Sequence, residues 1–220
     1  MKTKLLTIAM TAALMFTAMT KVQAQNFDGP CLPPAHGLVD HQSAFCSIMQ
    51  AIALSAGPNW FSTYVDITLD DLKAALVSEA PSNSTITIKS ATQNTVFSRG
   101  RWNGSLDWNV ANMYIIIVPT DCQISLEGML LNPAEHPITI AGNGSPTWIG
   151  FPFSNTMTVT DAFNGFAVNN DIIKSSNSNS QYSRGRWNGS VTNLEPGHGY
   201  IYVSAPGSAD RVLIYQSSSK

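Results

Sequence analysis

Ser98-Arg99-Gly100-Arg101-Trp102-Asn103-Gly104-Ser105 returns letter for letter as Ser183-Arg184-Gly185-Arg186-Trp187-Asn188-Gly189-Ser190, 85 positions further on. The match spreads outward from this octapeptide. Ile88-Lys89-Ser90 recurs as Ile173-Lys174-Ser175 at the same offset, Tyr114 corresponds to Tyr200, and Trp60-Phe61 corresponds to Trp148-Ile149 across small insertions. Self-similarity at one period marks a chain built from copies of one supersecondary unit. The expectation is therefore two tandem homologous repeats, at 48–132 and 133–216, packed about a pseudo-twofold axis.

The first 24 residues read as a signal peptide. Lys2 and Lys4 precede an apolar run from Leu5 to Met19, and Val22-Gln23-Ala24 is a small-x-small cleavage site. That run is too short for a spanning helix, and no later stretch is long and apolar enough to be one. The expected mature chain is secreted, periplasmic or held at the cell surface, without a membrane span. Three of the 12 Lys and Arg residues fall in the signal and none of the 14 Asp and Glu. The mature chain thus carries nine basic against fourteen acidic residues, a net charge of −5. That balance argues against nucleic acid as a partner. Four of the five arginines lie in the two octapeptides, so what positive charge there is stays local.

Residues 25–47 hold Pro30, Pro33, Pro34 and Gly37 without periodicity and read as an irregular arm. Cys31, His36, His41 and Cys46 recur there in steps of five, with four residues between each and the next. Two readings compete. One is a Cys31–Cys46 disulfide with two surface histidines, as suits an oxidising compartment. The other is a tetrahedral Cys-His-His-Cys zinc site, although short zinc modules pair their ligands across two to four residues. Cys122 could pair with either arm cysteine. Residues 217–220 read as a frayed end.

Within the repeats, period-two alternation predicts mostly antiparallel strands with one short helix per repeat. Trp60–Val65, Thr85–Ser90, Val96–Trp102, Met113–Val118 and Cys122–Leu126 are the expected strands of the first copy. Trp148–Phe153, Ile172–Ile173, Gln181–Trp187, Tyr200–Ser204 and Arg211–Tyr215 are those of the second. Thr68 and Thr158 are expected to cap the helices, the first with Leu69, Leu72 and Leu76 on one face. Each copy has enough apolar residues for a core, and the two copies are expected to share one. The fold class is mostly β (α+β).

Gly57-Pro58-Asn59-Trp60-Phe61-Ser62, Ile88-Lys89-Ser90, Trp102-Asn103-Gly104-Ser105-Leu106, Trp148-Ile149-Gly150, Trp187-Asn188-Gly189-Ser190-Val191 and Pro196-Gly197-His198-Gly199-Tyr200 together resemble a family of tandem Gly-Trp-Asn-Trp-type repeats. These occur in secreted and cell-surface proteins of Bacteroidetes. The likeness covers most of 48–216 and departs from the pattern at Pro58, where the family has tryptophan. It implies an exported location and an accessory, repeat-built module.

The chemistry on offer is recognition. Asn-Gly is a strong signal for a two-residue type I′ turn, which would place Trp102 and Ser105 on either side of a hairpin tip. Arg99, Arg101, Trp102 and Asn103, with Arg184, Arg186, Trp187 and Asn188, are the candidate ligand-binding residues. An indole face stacks on a sugar ring, and guanidiniums donate to hydroxyl, carboxylate or sulfate oxygens. Strand alternation, however, would put Arg99 and Arg101 on one face with Gly100 and Trp102 on the other. The competing reading makes the tryptophans core residues and the arginines solvated. No nucleophile elbow, metalloprotease helix or phosphate loop is present, so neither catalysis nor a cofactor is expected. The expectation is a non-catalytic binding or adhesion module that takes a glycan or a surface protein. The alternatives are an assembly module without a small ligand and, third, an enzyme acting on polysaccharide or peptide.

Overall fold

Side-chain alternation starts the fold at Ile48, where Gln50, Ile52 and Leu54 point inward and Met49, Ala51 and Ala53 outward. The computed structural model describes residues 47–81 and 83–216. The signal peptide, the arm with its Cys31, His36, His41 and Cys46, and the C-terminal tail lie outside the described residues.

The N-terminal half runs β1 (Ile48–Leu54), β2 (Gly57–Phe61), β3 (Val65–Asp66), α1 (Leu69–Glu79), β4 (Ile86–Lys89), β5 (Asn94–Ser98), β6 (Arg101–Ser105), β7 (Tyr114–Val118) and β8 (Cys122–Leu130). The C-terminal half runs β9 (Ile138–Ile140), β10 (Pro146–Ile149), β11 (Met157–Thr158), α2 (Val159–Ala162), β12 (Ile172–Lys174), β13 (Asn179–Ser183), β14 (Arg186–Gly189), β15 (Asn193–Leu194), β16 (Tyr200–Val203) and β17 (Arg211–Leu213). The protein is mostly β, with every strand pair antiparallel and two helices among the described residues.

Each half contains a five-stranded sheet. The orders are β2-β7-β4-β5-β6 and β10-β16-β12-β13-β14. The outer strand of each sheet begins at the second arginine of an octapeptide. In the N-terminal half β1 and β3 flank β8, and in the C-terminal half β9 pairs with β17.

Local chemistry accounts for the helices. The Thr68 side chain accepts from the Asp71 amide at 3.2 Å while the Asp71 carboxylate accepts from the Thr68 amide at 2.8 Å, a reciprocal capping box. Leu72 and Leu76 then face the core. Thr158 caps α2 through the Asp161 amide, but that helix ends after one turn at Phe163. Tyr114 and Tyr200 anchor the chain entering their strands in the same way. Each phenolic oxygen accepts from the amide five residues upstream, Asn109 at 2.7 Å and Glu195 at 2.8 Å.

Two cores form rather than the shared one expected. One gathers Phe61, Leu72, Leu76, Ile86, Ile88, Tyr114, Ile116 and Ile124, the other Ile149, Phe151, Phe163, Ile173, Tyr200 and Tyr202. The halves meet instead along a hydrogen-bonded seam. The Ser62 amide donates to Gly197 O at 3.1 Å, and the Gly150 amide donates to Ala111 O at 2.7 Å. Ser62 and Gly150 each lie two residues past the tryptophan of their half, Trp60 and Trp148. Ala111 and Gly197 each lie three before its tyrosine. The Ser62 hydroxyl adds a bond to His198 O at 2.7 Å and accepts from the Phe151 amide at 3.1 Å. This seam explains why the expected strand Trp60–Val65 breaks. Ser62 to Tyr64 leave the sheet so that Ser62 can reach across.

Candidate functional site: two arginine-tipped hairpins

β5 and β6 pair from Asn94↔Ser105 to Ser98↔Arg101, and β13 and β14 from Ser180↔Gly189 to Ser183↔Arg186. The hairpin turns are therefore Arg99-Gly100 and Arg184-Gly185, not Asn103-Gly104 as the Asn-Gly signal predicted. The backbone agrees. Arg99 and Gly100 have φ of 52° and 78°, and Arg184 and Gly185 have 53° and 78°. Positive φ at both central positions is what a type I′ turn demands. The expected single strands Val96–Trp102 and Gln181–Trp187 are each the two arms of a hairpin.

The register that wins is set by aromatic pairing. Phe97 lies opposite Trp102 with ring centroids 5.4 Å apart, and Tyr182 opposite Trp187 at 5.3 Å. Turning at Asn103-Gly104 would break these cross-strand pairs and pull the indoles off the core, which outweighs the local preference of Asn-Gly. The second glycine of the octapeptide serves another need. A Cβ at Gly104 would lie 2.6 Å from Asn94 O, so only glycine lets the two strands approach there.

Trp102 and Trp187 are half-buried and hold equivalent positions. Trp102 packs on the N-terminal core, with the Lys73 ammonium of α1 5.8 Å from its ring centre. Trp187 sits against Phe163 at 5.6 Å and Tyr202 at 6.4 Å. The indoles thus tie each hairpin to the body of its half.

Arg99, Arg101, Arg184 and Arg186 are all exposed. Arg99 and Arg184 stand in the turns themselves, which corrects the expectation that Arg99 shares a strand face with Arg101. Asn103 and Asn188 stiffen the tips. The Asn103 amide donates to Arg101 O at 3.3 Å, and that of Asn188 to Arg186 O at 3.1 Å and to the Ser183 hydroxyl at 3.0 Å. The Arg184 backbone amide is held by the Asn169 side chain at 3.0 Å. Each tip therefore offers two guanidiniums on a pinned backbone, with the indole turned inward beneath them.

A buried polar cluster in the C-terminal half was not anticipated. Asp171 is fully buried and accepts from the Val168 amide at 2.9 Å, the Ala205 amide at 2.8 Å, Arg211 Nη2 at 2.8 Å and the Tyr202 hydroxyl. Arg211 also donates to Phe166 O at 2.7 Å, and its guanidinium lies 4.6 Å from the Phe166 ring centre. Burial, then the Asp171 carboxylate, pushes the Tyr202 phenol far above its ordinary value. Four donors satisfy the Asp171 carboxylate, while Arg211 Nε is buried without a partner among the described residues, so the cluster is a structural network. The single described cysteine, Cys122, is half-buried, and burial followed by Glu79 and Asp121 pushes its thiol up.

Comparison with models of protein families, with curated proteins and with solved structures finds no match to this chain.

Proposed function

We propose that this protein is an exported, non-catalytic binding module made of two copies of one β-rich unit. Each copy presents an arginine-bearing hairpin tip to a glycan that carries carboxylate or sulfate groups. The carrying observation is the paired tips themselves: four exposed guanidiniums on two identical octapeptides, in a mature chain of net negative charge. Guanidinium forks bind planar oxyanions bidentately, which lysine cannot do. The inward tryptophans favour this over stacking on a sugar ring, because the indoles are engaged with their own cores. Two tips reaching one polymer would raise avidity without any new contact. The resemblance to tandem repeats of surface proteins supports the exported location.

The test is a glycan array that includes uronate-rich and sulfated polymers. It is probed with the mature chain and with a variant carrying Arg99→Ala, Arg101→Ala, Arg184→Ala and Arg186→Ala. Loss of all anionic-glycan signal in the variant supports the reading. Equal signal from both proteins removes it.

A further inference from the structure

A groove lies away from the hairpin tips, at the junction of the halves. It encloses about 680 Å³ and runs between β1 and β2 on one side and, on the other, the Ser175–Ser178 turn with the 190–200 segment. Its volume falls within the roughly 300–1,000 Å³ of small-ligand pockets. The seam builds it. The Gly199 amide donates to Trp60 O at 3.1 Å, so the Glu195–Gly199 turn is clamped beside β2.

The lining has a definite chemistry. It contains no lysine or arginine and only one carboxylate, Glu195. Hydroxyl and amide side chains supply nearly half of the rest, and apolar residues and glycines supply most of what remains. Asn177 and Asn193 are exposed on the C-terminal wall. Trp60 is half-buried opposite them, on the strand face away from the buried Phe61. Glu195 and His198 stand at one end with side chains 60% and 61% exposed, Oε2 and Nε2 3.9 Å apart. An indole beside hydroxyls, amides and one carboxylate matches a ligand with apolar ring faces and many neutral hydroxyls. It matches an anion less well, since the lining holds the Glu195 carboxylate and no lysine or arginine.

We infer that this groove binds a neutral oligosaccharide, with Trp60 as the stacking platform and Asn177, Asn193, Glu195 and His198 as hydrogen-bonding partners. The inference stands apart from the hairpin reading, since none of the four tip arginines lines the groove.

The experiment titrates the isotope-labelled mature chain with unsubstituted hexasaccharides of glucose, xylose, mannose and galactose, followed by amide and indole NMR shifts. At least one hexasaccharide should bind saturably and shift the Trp60 indole and the His198 and Asn193 amides. Trp60→Ala should weaken it by at least about tenfold. Because Trp60 is half-buried within β2, Asn193→Ala with Glu195→Gln, both exposed, serves as a second variant and should weaken it as well. The inference is overturned if no neutral hexasaccharide binds, if shifts map to the Arg99 and Arg184 tips, or if both variants bind as the parent does. An intact response to anionic polymers alongside such a failure would leave the hairpin reading standing.

Discussion

Met113 fills the space that a side chain at Gly199 would need. A Cβ added to Gly199 would overlap Met113 Cγ and lie 2.7 Å from its Cβ and 2.8 Å from its Sδ. The two residues hold the same place in their own halves, each directly before the tyrosine that opens the second strand of its sheet, Tyr114 of β7 or Tyr200 of β16. The other seam contacts divide the same way. Ser62 meets Gly197, and Gly150 meets Ala111, where a Cβ at Gly150 would lie 2.7 Å from Ala111 O. In each pair one partner is glycine. Identical large residues at both places would collide, and identical small ones would leave a void. Two halves of one chain resolve this by carrying different residues at the two places.

Gly199→Ala should therefore destabilise the protein by about 1–3 kcal/mol through overpacking. Its φ is not in the left-handed region, so the cost comes from Met113 rather than from the backbone. Adding Met113→Ala should recover part of the loss. A urea-unfolding double-mutant cycle should return a coupling of about 0.5–3 kcal/mol. Strict additivity would mean that the two residues do not press on one another.

The tips make a purely conformational prediction. Gly100 has nothing near its Cβ position, so Gly100→Ala meets no clash and should still cost about 1–2 kcal/mol for holding φ at 78°. Arg99→Asn should instead be neutral or stabilising, since asparagine tolerates that region better than arginine. Thermal melts of the two variants would show opposite shifts. A fall of equal size in both would contradict the type I′ assignment.

Several features of this fold could be read from the residues, and the exceptions share a cause. Thr68 with Asp71 announced a helix start, and Ile88 and Ile173 announced strands, because those signals are local. The hairpin turn lies four residues before the Asn-Gly dipeptide, because Asn-Gly is the stronger local turn signal while the aromatic pairs that override it are non-local. β1 carries no clear strand signal because the amide Gln50 occupies an inward position, where it accepts from the Thr63 hydroxyl at 2.8 Å and the Tyr64 amide at 3.0 Å. That interrupts the apolar alternation. Asp171 stands 85 residues after Ile86, and both are fully buried. A carboxylate at the position matching a buried isoleucine is a visible sign of a buried network, but its partner Arg211 lies forty residues further along the chain.

High pH should unfold the protein in a definite window. Burial raises the phenols of Tyr114, Tyr200, Tyr202 and Tyr215, that of Tyr200 to about 12. A raised value means that the folded state holds these protons more tightly than the unfolded chain does. The stabilisation is complete below the ordinary phenol value near 10 and is lost as pH climbs from there through 12. Near-UV circular dichroism and phenolate absorbance should change together over that range. Absorbance rising well before the loss of dichroism would show these phenols to be open to solvent. Tyr215→Phe should be neutral or stabilising, because its hydroxyl is buried with no hydrogen-bond partner among the described residues.

The most direct test of the binding claim is an affinity series against polygalacturonate at two ionic strengths. It compares the parent, each single-tip pair (Arg99→Ala with Arg101→Ala, Arg184→Ala with Arg186→Ala) and the four-fold variant. Two-tip engagement predicts that each single-tip pair weakens binding by about 10²-fold or more, that the four-fold variant does not bind, and that salt weakens the parent most. Parent-like affinity in the four-fold variant, or equal salt response across the series, would contradict the account.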